Sequence, residues 1–223
     1  MTGRDWFEWH RAYDDDTSSL AGRLRAVQRH IVDALDGAAP GGIDVLSVCA
    51  GQGRDLIEVL ADHRRAPDVR ARLVELDPRN AEVAAAAASA AGLGGVDVVV
   101  GDASTTTAYA GLAPADLVLA CGVFGHATDE DIRRMIRHLP MLCAAGATVV
   151  WTRGSRDPAL RPAIRGWFAD HGFEELDFTT GGNGWGVGAN RLVAEPQPFR
   201  PDIRLFTFVD DLHASTGGRS PDG

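Results

Sequence analysis

"DVLSVCAGQGRDL", residues Asp44–Leu56, decides how this chain is read. Its first half, "IDVLSV" over residues 43–48, is short, apolar and β-branched, with turn residues on both sides, and reads as a buried strand. The strand runs into a turn holding Gly51 and Gly53, and from Asp55 the stretch "DLIEVLADH" reads as a helix. Glycine loses more freedom on folding than any other residue, so two of them in one turn call for a close approach to the backbone. A strand, a glycine turn and a helix start present free backbone N–H groups at the end of the strand, where open parallel sheets hold their ligands.

The same alternation continues outward. A helix is expected over residues 18–36, where Leu20, Leu24, Val27, Ile31 and Leu35 mark one face against an arginine-rich opposite face. Beyond the turn come a second strand in "VRARLVELDP" stopped by Pro78, an alanine-rich helix from Pro78 to Gly92, a third strand in "VDVVVGDA" and a fourth in "ADLVLACGVF". A helix over residues 129–146, a fifth strand "ATVVWTR", a helix over 158–172 and a sixth strand "FEELDFT" follow. Strands alternating with helices give a parallel sheet covered on both faces. Near the end no helix separates the strand-like pieces "NRLVAEP" and "IRLFTFV", so these are expected to return antiparallel, at an edge of the sheet or within it. "TTGGNGWGVGANR", residues 179–191, is too glycine-rich for a stable strand and is expected to be a loop, carrying Trp185 over an acceptor or serving as a long turn.

Composition narrows the chemistry. The chain has 223 residues, a formal net charge of -9 and a soluble balance of 45% hydrophobic and 24% charged residues. The acidity argues against nucleic acid as a partner. There is no lysine, which excludes a lysine Schiff base and a Walker-type phosphate loop. Cys49, Cys121 and Cys143 form no CxxC pair, so structural zinc is not expected and free thiols in a reducing cytoplasm are. The first residues are too acidic for a signal peptide, and the longest apolar run is too rich in Ala and Gly to span a membrane.

Two ligand classes suit the glycine turn. A dinucleotide fingerprint wants a third glycine, where Leu56 stands, and Asp55 would repel a pyrophosphate. A nicotinamide-dependent reductase also lacks the Tyr-x-x-x-Lys pair that a chain without lysine cannot supply. An adenosyl ligand with a zwitterionic amino-acid end and a sulfonium tolerates these acids. Glu75, 24 positions after Gly51, ends the second strand, where one carboxylate can accept from both ribose hydroxyls.

With these residues in view, the chain resembles the class I S-adenosylmethionine-dependent methyltransferases. The likeness is carried by "VLSVCAGQGRDL", "LVELDP", "VVVGDA", "ADLVLACGVFGHATDEDIRRMI" and "GATVVWTR", in family order over about residues 40–155. An N-terminal "WHxxYDD" pattern at Trp9–Asp15 is similar to that of a subgroup of small actinobacterial-type enzymes. The resemblance implies a Rossmann-like α/β fold: a seven-stranded, mostly parallel sheet with an antiparallel last strand, helices on both faces and an N-terminal helical lid. It divides the chain into a lid over 1–40, a methyltransferase domain over 41–212 and a flexible tail over 213–223.

The resemblance also assigns residues. Cys49, Ala50, Gly51 and Gly53 would lie under the methionine and ribose of S-adenosylmethionine, and Asp55 would reach its amino group. Glu75 would bind the ribose, Leu76 would pack on adenine, and Asp102, with Ala103 beside it, would accept from the adenine amino group. Cys121, Gly122 and Phe124 would end the fourth strand beside the transferred methyl. Asp55 stands at the third glycine of the commonest form of the loop.

The implied reaction is methyl transfer by in-line displacement to an oxygen or nitrogen of a small-molecule acceptor, from secondary metabolism by default. Alignment does most of the work there, and a base is needed only if the acceptor must lose a proton early. His126 is the candidate base, with His10 a weaker one. Trp6, Trp9 and Tyr13 either staple the N-terminal segment down or wall a pocket, with Tyr13 against the methionine end. Asp129 and Asp131 read as helix-start acids, not metal ligands. A cofactor-binding module without catalysis is the reading from another class. No nucleic acid or membrane is expected, and the protein is expected to be a monomer or homodimer.

Overall fold

A computed structural model describes residues 5–154, 158–182 and 184–208. The expected tail over 213–223 lies outside the described residues.

Seven strands form one sheet: β1 (Ile43–Val48), β2 (Val69–Glu75), β3 (Val96–Val100), β4 (Ala115–Ala120), β5 (Cys143–Arg153), β6 (Phe173–Thr180) and β7 (Gly186–Leu192). Their order across the sheet is β3-β2-β1-β4-β5-β7-β6. The β1–β2, β1–β4, β2–β3 and β4–β5 pairs are parallel, whereas β7 runs antiparallel to both β5 and β6. The helices are α1 (Trp6–Trp9), α2 (Ser19–Gly37), α3 (Arg54–Asp62), α4 (Pro78–Ala90), α5 (Asp129–His138) and α6 (Arg161–Asp170). Four of the helices, α2, α3, α4 and α5, start at a cap or turn that the sequence provides: Ser18, Asp77 and Thr128 cap with their side chains, and Gly53 turns left-handed at φ 66° before α3.

Alternate residues of each inner strand feed two cores. Leu46 and Val48 face one that is closed by Ile132, Ile136, Ile164 and Phe168 of α5 and α6. Ile43 and Val45 face the other, closed by Val27, Ile31, Leu56 and Ala84 of α2, α3 and α4. The strand order reverses at β1, between β2 and β4, and this opens the crevice in which doubly wound sheets bind ligands.

Four local expectations are corrected. The helix expected over 129–146 ends at His138; Leu139–Met141 make a 3-10 turn around Pro140, which lacks the N–H a helix interior needs, and β5 begins at Cys143. The glycine-rich stretch is a strand from Gly186, and Trp185 packs against Gly22 of α2, lining none of the cavity described below. The segment over 203–208 is no strand: it makes isolated antiparallel bridges, Thr105 with Arg204 and Ala127 with Phe208. Arg23 does not join the solvent face of α2 but lies buried among its apolar residues, at 9% exposure.

Candidate functional site

The carboxyl ends of β1, β2 and β4 open into a cavity of about 570 Å³. Its floor is the turn after β1. Cys49, Gly51 and Gly53 all take left-handed backbone conformations, at φ 54°, 57° and 66°. Gly51 donates its N–H to Glu75 Oε2 at 2.8 Å, and Glu75 Oε1 accepts from the Asp77 amide at 2.9 Å. The end of β2 is thereby tied to the turn after β1. Each carboxylate oxygen of Glu75 keeps an acceptor position for a ligand hydroxyl. Next to it Leu76, at 67% exposure, offers an uncovered apolar face to the cavity.

The other end of the cavity is charged. Asp55, in the first turn of α3, accepts from the Leu56 amide at 2.9 Å. Its surroundings desolvate the carboxyl and push it up to about 6. Burial raises the thiols of Cys49 and Cys121 well above their usual range, so neither is a ready nucleophile. Gly122 donates its N–H to Thr152 Oγ1 at 2.8 Å, fixing the loop after β4.

The N-terminal segment forms the roof. α1 and a 3-10 turn over His10–Asp14 bring Trp6, Trp9, His10 and Tyr13 to the cavity. His10 Nδ1 lies 2.7 Å from the Trp6 carbonyl, which can only accept, so this nitrogen carries the proton and Nε2 is the acceptor. A Cβ on Gly51 would sit 2.2 Å from that Nε2. Burial holds the His10 imidazole below its ordinary pKa. Tyr13 accepts from Arg23 through its hydroxyl at 3.0 Å. Asp5 pairs with Arg79 at 2.9 Å and Asp14 with Arg54 at 2.8 Å, tying both ends of the segment to the rim. His126, on the loop after β4, meets the edge of Trp6 at a ring distance of 4.7 Å, and Phe208 completes this aromatic corner 6.3 Å from both rings.

The structure therefore brings Tyr13, Cys49, Ala50, Gly51, Gly53 and Asp55 to one cavity with Glu75, Leu76, Cys121, Gly122 and His126. Asp102, Ala103 and Phe124 are not on its lining. Asp102 turns back to accept from the Ser104 amide and hydroxyl and faces Arg204 at 3.6 Å. Ala103 is in the core, and Phe124 is packed against Trp151 and Phe168. Arg23, Asn80 and Phe208 line the cavity without having been expected there. Arg23 had a signal, since it falls three residues after Leu20 and four before Val27, on the apolar face itself. Phe208 had none, because only long-range folding brings it over the loop after β4. Among the described residues no group of three His, Cys, Asp or Glu side chains converges as a metal site, and no helix is long and apolar enough to cross a membrane.

Residues 45–146 match the family model of a methyltransferase domain. No curated protein matches the sequence. Among solved structures the chain is similar to magnesium protoporphyrin IX methyltransferase (ChlM) from Synechocystis PCC 6803 with bound SAM, at 16% identity and a TM-score of 0.64, covering 85% of this chain and 91% of that one. It is similar to an O-methyltransferase family protein from Burkholderia thailandensis at 19% identity and a TM-score of 0.58, covering 78% of this chain but only 58% of that protein's length. The cyclase SpnF shares the fold at 16% identity and a TM-score of 0.54, over 78% of this chain and 81% of its own.

Proposed function

We propose, from the match of residues 45–146 to a methyltransferase-domain model and from a fold shared with S-adenosylmethionine-dependent methyltransferases, that the protein transfers the methyl group of S-adenosylmethionine to an oxygen or nitrogen of a small-molecule acceptor. The observation that carries the reading is the tie between Glu75 and the Gly51 amide beneath an open cavity, with the uncovered Leu76 on one side and the ionisable Asp55 on the other.

The residues fit such a cofactor. Glu75 accepts the ribose hydroxyls, Leu76 packs on the base, and Asp55 accepts from the ammonium group. Gly51 leaves room where any side chain would collide with His10. When bound, the sulfonium supplies an activated methyl and a neutral thioether leaving group. The chain's own task is alignment and exclusion of water. Trp6 and Phe208 bound the acceptor beside His126, which takes the acceptor's proton as the new bond to carbon forms. Asp102, held by Ser104 and facing Arg204, is not assigned to adenine in this reading.

The fold alone does not fix the reaction, since a cyclase shares it. Calorimetric titration with S-adenosylmethionine and with NAD separates this function from a reductase. Incubating the protein and labelled cofactor with metabolite extracts separates it from a binding module. Uptake of S-adenosylmethionine with label transfer is expected; uptake of NAD alone refutes the reading. The same reading puts the protein in the cytoplasm as a monomer or homodimer, its three cysteines unpaired.

A further inference from the structure

Arg23 is a charged side chain with no evident structural reason to be where it is. It sits on α2, 9% exposed, in line with the apolar residues that dock this helix. One guanidinium nitrogen donates to the Tyr13 hydroxyl, and the Trp9 ring lies 6.0 Å from Cζ. No carboxylate of the described residues forms an ion pair with it within 4.0 Å. The other rim arginines are satisfied: Arg54 by Asp14, Arg79 by Asp5 and Asp77. A guanidinium has five N–H donors in a planar fork suited to a carboxylate. A buried charge without its counter-charge costs several kcal/mol, and a leucine here would extend the apolar stripe. Arg23 lines the cavity.

Asp55 lines the same cavity and feels the charge of Arg23, yet the two do not pair. The helices that carry them are docked on each other. α2 and α3 pack together, and Gln28 of α2 bonds both the Arg54 carbonyl and Glu58 of α3, at 3.3 and 2.7 Å. A cation and an acid on the lining of one cavity, not paired with each other, complement a ligand that carries both charges close together.

We propose that Arg23 and Asp55 form a zwitterion clamp, Arg23 holding the α-carboxylate of the cofactor's methionine end while Asp55 holds its ammonium. The proposal rests on the cofactor reading above and adds a binding residue outside the matched methyltransferase domain. Tyr13 is the positioning residue: its hydroxyl fixes the guanidinium plane and links the roof segment to the clamp. A carboxylate on the acceptor would present the same chemistry, so the test has to tell the two sources apart.

Wild-type protein, R23Q and R23K are titrated calorimetrically with S-adenosylhomocysteine and with 5′-methylthioadenosine, which keeps the nucleoside and thioether but lacks the amino-acid end. R23Q should weaken S-adenosylhomocysteine by about 10- to 100-fold, the worth of a charged hydrogen-bonded contact, and change 5′-methylthioadenosine by less than about twofold. R23K, which keeps the charge but loses the fork, should fall between wild type and R23Q, and it decides the matter if R23Q does not fold. Unchanged affinity for S-adenosylhomocysteine, as an acceptor-binding role requires, overturns the clamp, and so does an equal loss for both ligands. Wild-type protein that takes up neither ligand refutes the cofactor reading itself.

Discussion

The two glycines of the turn after β1 serve different masters. A Cβ on Gly53 would meet Ile57 Cδ1 and Leu73 Cδ2, each at 2.7 Å, and both side chains belong to the core. Gly53 is a packing and backbone requirement, and G53A is expected to lower unfolding free energy by about 2–4 kcal/mol in urea denaturation. Gly51 faces the cavity and His10. G51A adds left-handed strain of about 1 kcal/mol and must also displace the His10 ring, and it should abolish measurable binding of S-adenosylhomocysteine in calorimetry. Equal stability losses with binding retained in G51A would remove the ligand rationale for this glycine. Asp55 gives a pH signature of its own. Its carboxyl stands at about 6 against a usual 3.8, so the folded chain binds that proton more tightly than the unfolded chain. The stability it contributes is complete below pH 3.8 and is lost as pH rises through about 6. The loss amounts to at most about 3 kcal/mol, since the carboxyl still meets cavity water. D55N cannot titrate, so its stability relative to the parent should climb between pH 4 and pH 7 in urea melts; a constant difference would mean that Asp55 is ionised throughout.

At the scale of elements, β7 shows how a glycine-rich segment becomes a strand. Gly186 and Gly188 lie under aromatic rings: a Cβ would come within 2.8 Å of Phe178 Cζ at the first and 2.4 Å of Trp151 Cε2 at the second. Trp151 is fully buried, stacks between Phe168 and Phe178, and donates its indole N–H to Asn190 at 2.8 Å, so it has nowhere to go. G188A should cost about 3 kcal/mol and lower the melting midpoint by roughly 6–12 °C. G166A on the exposed side of α6, where nothing lies within 4 Å of a new Cβ, should instead raise stability by about 0.5–1 kcal/mol. The inner strands were legible because burial on both faces leaves an apolar run in the sequence, as in "IDVLSV". β7 was not, because its small residues answer to rings on other elements, and strand propensity carries no record of those. The same holds within the site. Glu75 and Gly51 could be placed at one site from spacing and turn chemistry, whereas the fate of Asp102 depended on Ser104 and on Arg204, about a hundred residues away. The roof segment was legible as aromatic and amphipathic, but its seat over Gly51 was not. Removing residues 1–16 should weaken S-adenosylhomocysteine by about tenfold, since Tyr13 and the aromatic wall leave together; unchanged affinity would reduce the segment to packing.

In the whole molecule, the cavity marks the seam where the strand order reverses, and segments from both ends of the described chain meet above it. Trp6 comes from one and Phe208 from the other, and Phe208 is anchored by its bridge to Ala127 beside His126. A ligand seated there touches β1, β2 and β4 together with the roof, so its binding energy adds to the stability of the folded state as a whole. At 100 times the dissociation constant the gain is about 2.7 kcal/mol, which for a chain of this size raises the melting midpoint by roughly 5–10 °C. S-adenosylhomocysteine should produce that shift. NAD should not, although it also carries adenosine. Its pyrophosphate would approach Asp55 and Glu75 with no third glycine to admit it, since Leu56 fills that place in the core. The formal net charge of -9 adds a long-range repulsion against an anionic ligand. The two compounds therefore test the charge pattern of the site with the adenosine contacts held in common. An equal shift from both would show that adenosine alone drives uptake and that the acids of the turn discriminate nothing; a shift from NAD alone would return the molecule to the dinucleotide-binding enzymes.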